Sequence, residues 1–415
     1  MSASPRLASH APSEPMSTGL VVLVLSLLLG IQPVTTDLYL PALPALTEGF
    51  GAGMAQAQLT LSALLLAFGA SQLFWGPLSD RYGRRPILLW GLSAYTLAAV
   101  GAAFAPSMDL LIVWRTLQGA AMGAAVMCAR AIVRDLYSPL EGARAMSRGL
   151  TGLGIIACAG PLLGGLLSDL FGWRIALLAP ALFGAASLAV IALCMQETAP
   201  AADPLALQPA RMARNWWTIL RNPTFLTFSA LSATSYGGLF TFLASSSFVF
   251  IKVLGLSKTQ YGLAMFSIAF VYVISTFLCR RLLPRFGVRR TVAIAGAITL
   301  SGGTLMAALA YSGVTHVLAF VLPFHLFMMA HGVHQPCSQS GAVGPFPQAA
   351  GTASAINGFL MMVLAFGMSA WLGSHLDGTV FPMVNGIWFW CLLIALTAWF
   401  PVRKYGEPAP LQPGA

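Results

Sequence analysis

Apolar windows recur along this chain, near 18–42, 56–79, 86–105, 108–134, 144–170 and 173–195, and again near 223–251, 258–283, 289–311, 314–341, 349–374 and 379–402. Each is long enough to cross a hydrocarbon layer of about 30 Å as a helix. No water reaches a backbone N–H or C=O inside such a layer, so only helices or closed barrels span it. Only 8% of the residues are charged, against about 25% in soluble domains. That is too little polar surface to coat a globule of 415 residues. An ordinary soluble enzyme, a disordered chain and a secreted disulfide scaffold are therefore excluded. The expected fold class is an all-α membrane protein with twelve transmembrane helices in two six-helix, pseudo-symmetric bundles. The expected division is a tail over 1–17, a bundle over 18–195, a linker over 196–222, a second bundle over 223–402 and a tail over 403–415.

The distribution of charge sets the expected orientation. Eighteen of the 22 basic residues fall in the tails, the linker and the loops of one side. Three (Arg174, Lys252 and Lys258) fall opposite, and Arg115 lies inside span 4. Such a bias predicts that the basic side, with both termini, is cytoplasmic. The net charge of +10 is then a topology signal rather than a nucleic-acid footprint. Trp216 and Trp217 suggest that part of the linker lies against the membrane. The run after Ser17 lacks a small-residue cleavage site and reads as a retained first helix. Six cysteines at irregular spacing in apolar stretches imply neither a disulfide framework nor a metal motif.

The halves also repeat. Arg81-Tyr82-Gly83-Arg84-Arg85 after span 2 returns as Arg285-Phe286-Gly287-Val288-Arg289 after span 8, close to half the chain later. Parallel six-helix repeats are an architecture of secondary transporters, with the substrate site between the halves.

Among the twelve acids, Asp37 alone sits well within an apolar span. A charge there costs at least ~2.5–3.5 kcal/mol, so it faces a cavity or a partner. A carboxyl whose surroundings alternate can take a proton from one side and release it to the other. The competing reading is a structural, hydrogen-bonded acid near a kink at Pro41. Arg115 is the natural counterpart: Asp37 lies about 25 Å along span 1, Arg115 about 9 Å below the outer end of span 4, and these depths are compatible. A direct pair and a link through Gln118 and water both remain open, as does a purely structural arginine. Gln118 and Met122 follow one and two turns on.

Span 7 mixes Ser232, Ser235, Tyr236 and Thr241 with phenylalanines, which suits an amphiphile-binding wall, with Tyr236 as its candidate. The same hydroxyls could equally join helices. His331 and His334 share a face with Cys337 one turn on. Without a carboxylate or a zinc signature, no metal site is assigned, and interhelical hydrogen bonding or a minor protonation role is preferred.

Gly76-Pro77-Leu78-Ser79-Asp80-Arg81-Tyr82-Gly83-Arg84-Arg85-Pro86 is physically a tight turn with an acid among arginines. It closely resembles the loop 2–3 signature of the major facilitator superfamily, within which the chain most resembles the bicyclomycin/chloramphenicol-resistance (Bcr/CflA) drug:proton antiporters. Thr36-Asp37-Leu38-Tyr39-Leu40-Pro41, Arg115-Thr116-Leu117-Gln118-Gly119, Gly160-Pro161-Leu162-Leu163-Gly164-Gly165 and Ala350-Gly351-Thr352-Ala353-Ser354-Ala355 extend the likeness in the correct order.

The resemblance implies that Gly76, Asp80, Arg81, Gly83, Arg84 and Arg85, with Arg134 and Asp135, form a conformational charge latch. A solvated positive turn would explain the arginines but not Asp80. Pro284 stands in the acid's place in the second half, which implies one latch rather than two. Arg115 is implied in proton coupling and substrate handling. Gly160, Pro161, Gly164 and Gly165 are implied as a seal and hinge favouring exchange. Some resembled members carry a second acid two turns before the aspartate. Leu29 and Gly30 occupy that place here, which tilts the expected cargo toward neutral or monovalent amphiphiles.

The combined expectation is a monomeric inner-membrane antiporter exporting amphiphilic drugs, driven by the proton gradient and needing no cofactor. Asp37 and Arg115 would couple protons, and Thr36, Asp37, Gln118, Met122 and Tyr236 would bind substrate. The rivals are a proton symporter and an exporter of an endogenous metabolite on the same fold. No HExxH, GxSxG or Walker loop supports an enzyme, and nothing resembles a channel filter.

Overall fold

The computed structural model describes residues 16–137, 139–199 and 206–406. Most of the tail 1–17, residues 200–205 of the linker, and the tail from 407 onward lie outside the described residues, as does the side chain of Arg144.

The order is α1 (Thr18–Asp37), a 3-10 turn (Leu40–Ala42), α2 (Leu43–Gly49), α3 (Met54–Tyr82), α4 (Arg84–Ala103), α5 (Met108–Leu136), α6 (Pro139–Phe171) and α7 (Trp173–Cys194). After the linker helix α8 (Pro209–Leu220) come α9 (Pro223–Phe248), α10 (Lys258–Tyr311), α11 (Leu318–Val343), α12 (Ala350–His375), α13 (Phe381–Trp399) and the short α14 (Pro401–Tyr405). Ten segments among the described residues are long and apolar enough to cross a membrane. One of them, α10, has 54 residues, or about 80 Å at 1.5 Å per residue, and so makes two crossings. Helix α11, made less apolar by His325, His331 and His334, has 26 residues and supplies the twelfth.

The bend in α10 falls at Gly287, with φ 68° and ψ 175°, and the turn between α3 and α4 is the single residue Gly83, with φ 94°. Both backbones lie where side chains with a Cβ are disfavoured. The sequence suggested a tight turn after span 2. A single left-handed glycine reverses the chain and lets both helices run up to it.

The N-terminal bundle packs α1 on α6, α3 on α5, and α4 on α5 and α7; the C-terminal bundle packs α10 on α11 and α13, with α9 against α11, α12 and α13. Two long seams join the bundles, α3 along α12 and α6 along α10. Large side chains such as Trp90, Leu97, Phe104 and Leu193 point outward, as lipid-facing positions require. In the linker, Trp217 is exposed beneath the Arg221 guanidinium, while Trp216 packs on the core.

Polar side-chain contacts between the bundles gather at the end opposite the arginine-rich turns. There Lys252 pairs with Glu48, Gln58 Nε2 donates to the Ala244 carbonyl at 2.6 Å, and Thr259 donates from its N–H and hydroxyl to Asp169 at 2.9 and 2.6 Å. Helix α2 plugs the same end, burying Leu43 and Leu46 among Ala57, Leu111, Leu177 and Phe248 of the second bundle. At the basic end, Arg130 bonds the Ser354 hydroxyl across the two bundles.

Candidate functional site: a carboxylate at a helix break

Pro41 explains where α1 stops. A proline ring clashes with the carbonyl four residues earlier and offers it no N–H, and that residue is Asp37, the last of α1. The break leaves carbonyls of the final turn without intrahelical donors. Arg115 serves one of them, its Nη2 donating to the Thr35 carbonyl at 3.2 Å. Its Nη1 donates to Gln118 Oε1 at 2.9 Å, and the guanidinium lies 4.4 Å from the Tyr39 ring centroid.

Arg115 is thus fully buried without an ion pair to a carboxylate among the described residues. A ring face and a carbonyl dipole stand in for the missing anion. The direct pair that the sequence left open is absent among the described residues; Arg115 instead grips residues 35 and 39, on either side of Asp37. Tyr39 in turn bonds Thr60, and Tyr95 bonds the Thr35 hydroxyl at 2.6 Å.

Asp37 itself is partly buried. The Thr36 hydroxyl donates to it at 2.7 Å. Gly160 faces it so closely that a Cβ there would lie 3.4 Å from the Asp37 Cβ. The 3-10 turn that follows Asp37 packs on α9 and α10 of the other bundle.

The Gly160–Gly165 motif is a close-contact seam on two sides. A Cβ on Gly164 would lie 2.8 Å from the Leu38 Cα, beside the helix break. A Cβ on Gly165 would lie 2.6 Å from the Lys258 carbonyl of α10, and Gly262 of α10 meets the Pro161 carbonyl just as closely. One turn of α6 therefore touches α1 of its own bundle and α10 of the other, backbone against backbone.

Of the remaining predicted substrate residues, Gln118 is committed to Arg115, Met122 is fully buried in the core, and Tyr236 is 8% exposed. Tyr236 stacks on Phe240 with centroids 6.5 Å apart. His331 Nδ1 bonds the Ser235 hydroxyl at 2.8 Å, so this histidine joins helices; His334 is buried with no geometric partner for either ring nitrogen.

At the basic end the predicted latch charges do meet. Arg84 contacts Asp80 at 2.7 Å and Asp135 at 2.8 Å, and Arg134 reaches Asp80 at 3.4 Å. All four belong to α3, α4 and α5, so these pairs tie spans of one bundle to each other. Arg81 lies over the Tyr82 ring, Arg85 donates to the Ala192 carbonyl at 2.8 Å, and Gly76 faces Met127.

Glu197, which the sequence placed merely in the linker, accepts from the Arg84 and Arg85 N–H groups at 2.8 and 3.1 Å. A carboxylate there satisfies orphan donors and complements the helix dipole of α4. Tyr39, Tyr95 and Glu197 were missed as partners. Their contacts join residues 21 to 113 positions apart, and no local spacing encodes such pairings.

A Major Facilitator Superfamily family model matches residues 25–370. The chain belongs to that superfamily. This Major Facilitator Superfamily chain is 29% identical over 382 residues to a protein named multidrug resistance protein D from Escherichia coli (strain K12), covering 92% of this chain and 95% of that one. It is also 29% identical over 386 residues to a chloramphenicol resistance protein of Pseudomonas aeruginosa, covering 91% and 89%. Its fold is similar to the crystal structure of a bacterial homolog of the human lysosomal transporter Spinster, in an inward-facing and unoccupied conformation. That likeness has a TM-score of 0.74 at 16% identity and covers 96% of this chain and all of the other.

Proposed function

We propose that this chain exports amphiphilic small molecules, of the kind its relatives are named for resisting, in exchange for protons. It would sit in the bacterial inner membrane with both termini in the cytoplasm. The arginine bias supports that orientation, and the names of the relatives support the cargo. The observation that carries the reading is Asp37. It is a carboxylate at a helix break, bonded by one neighbouring hydroxyl, beside the glycine seam of α6 and next to a 3-10 turn that packs on the other bundle.

The chain's own residues suggest the order of events. With the bundles joined at the end of Glu48 and Lys252, cargo enters from the basic end. Opening the opposite end requires the Gln58–Ala244 and Asp169–Thr259 bonds to part, which gives Asp37 access to external protons. Protonation removes its charge and its pull on a cationic cargo, and proton loss to the cytoplasm resets it. Arg115 acts as a positioning residue, holding the chain on both sides of the carboxylate.

Asp37→Asn keeps the shape and removes the titratable oxygen. Everted vesicles loaded with a pH gradient should then show no gradient-driven drug movement, with folded protein present at the normal level. Normal gradient-driven export by that variant would refute the coupling role.

A further inference from the structure

The two bundles balance their arginine-rich turns differently. In the first, Asp80, Asp135 and Glu197 supply the opposite charge where α4 starts at Arg84 and Arg85. In the second, Pro284 stands in the place of Asp80. Glu197 follows α7, which packs on α4; the segment that follows α13, which packs on α10, holds Arg403 and Lys404 instead. Between residues 204 and 406 the sequence has a single acid, Asp377, in the connection between α12 and α13 at the opposite end. Glu407, next in the tail, lies outside the described residues. Arg290, Arg403 and Lys404 are exposed, and among the described residues their own bundle offers no carboxylate at this end.

An open groove of about 360 Å³ begins just above these charges, lined by Ala297, Leu300, Ser301, Thr304 and Trp399. It follows from the close approach of α10 and α13. A Cβ on Gly296 would lie 3.0 Å from the Ala398 Cβ, and one on Gly303 2.6 Å from the Cys391 Sγ. Beside that contact, the exposed side chains of Ala297, Ser301 and Thr304 are too small to fill the space. The Trp399 indole donates to the Ala293 carbonyl at 3.1 Å, which fixes the register of these antiparallel helices. About one turn nearer the basic end, Arg290 of α10 and Arg403 of α14 therefore stand at one depth, and α14 packs on α10.

At 1.5 Å per residue, Ala297 lies about 10 Å and Thr304 about 21 Å along the helix from Arg290. One leaflet with its headgroups is about 20–22 Å deep. Cations, an interfacial tryptophan and a groove thus follow one another over the length of one lipid. A topology signal needs arginines at this end, but neither a groove nor its alignment with them.

We infer that the outer face of α10 and α13 binds an anionic phospholipid, its phosphate against Arg290, Arg403 and Lys404 and an acyl chain in the groove. Basic pockets between membrane helices take such headgroups. The lipid gives the second bundle the anion that Glu197 gives the first. The site faces the bilayer and does not depend on the export reading.

The test titrates the purified full chain in detergent with dioleoyl phosphatidylglycerol or dioleoyl phosphatidylcholine, counting bound lipid by native mass spectrometry. The two share their chains and differ in net charge, so phosphatidylglycerol should bind about tenfold more tightly or better. The double variant Arg403→Gln/Lys404→Gln should weaken its binding about thirtyfold, about 1 kcal/mol for each cation. Arg280→Gln/Arg281→Gln removes equal charge from α10 before the bend and should cost less than about threefold. Thr304→Phe keeps every charge, fills the groove and should also weaken phosphatidylglycerol. All of these positions are exposed, so the packed core is kept. Equal binding of the two lipids, equal losses in the two double variants, or unchanged binding by Thr304→Phe overturns the site. Dimers that Thr304→Phe disperses would make this face an interface between copies and overturn it as well.

Discussion

Asp135→Asn tests whether the charge cluster at the basic end is a structural clamp of the first bundle. Arg84 and Asp135 are 3% and 4% exposed. They meet through two contacts, Nε to Oδ2 at 2.8 Å and Nη2 to Oδ1 at 3.4 Å. Water cannot replace the lost carboxylate, so the small values measured for surface pairs do not apply. Removing one partner of a buried pair costs about 3–5 kcal/mol. Asp80 stays 2.7 Å from the same guanidinium, which places the cost near the low end, about 3 kcal/mol.

Asp80 is 41% exposed, so Asp80→Asn should cost about 1 kcal/mol or less. For a cooperative unit the size of one bundle, a kcal/mol corresponds to about 2–4 °C. Asp135→Asn should therefore lower the unfolding midpoint in detergent by about 6–12 °C, and Asp80→Asn by no more than about 4 °C. Tryptophan fluorescence during a thermal ramp reads both. Equal shifts for the two variants, or a shift under about 2 °C for Asp135→Asn, would refute the reasoning from burial.

Two further outcomes follow from the packing. Gly164→Ala drives a methyl group into the Leu38 backbone and should destabilise the chain by about 1–3 kcal/mol; it should also slow transport in vesicles more than Gly367→Ala, whose added Cβ meets nothing. Glu197→Gln keeps a hydrogen-bond acceptor at the start of α4 but loses the charge facing its dipole, and thermal unfolding should report a loss of about 0.3–1 kcal/mol.

Much of this fold could be read before any coordinates, because the bilayer leaves few options. Runs such as 86–105 and 173–195 can only cross it, and the arginines mark one side. The candidate site was legible in part. Asp37 stood out because an acid in a greasy run needs a reason, and Gly164 and Gly165 because glycines at a fixed spacing permit close approach. Harder to see was how helices rotate against each other. That rotation sets Arg115 on the Thr35 carbonyl and the Tyr39 ring, and it encloses Gln118 and Met122 more fully than their helical spacing suggested. The end of α1 was hidden in plain view: Pro41 marks a break at residue 37, yet an apolar window scored by hydropathy alone runs straight through it. Glu197 fell within the linker 196–222, and nothing near it in sequence pointed to the start of α4, whose N–H groups it accepts from.

The glycine seam of α6 has a mechanical consequence. Interlocked side chains act as cogs, and moving past them means hopping rotamers and opening voids. Where Gly165 rests on the Lys258 carbonyl and Gly262 on that of Pro161, the cogs are missing and two smooth rods lie in contact. Such a joint resists separation yet offers little friction to rolling, so it serves as a bearing about which the two six-helix bodies can rock. Because Gly164 presses the other flank of the same rod against Leu38, each roll also nudges the backbone next to Asp37.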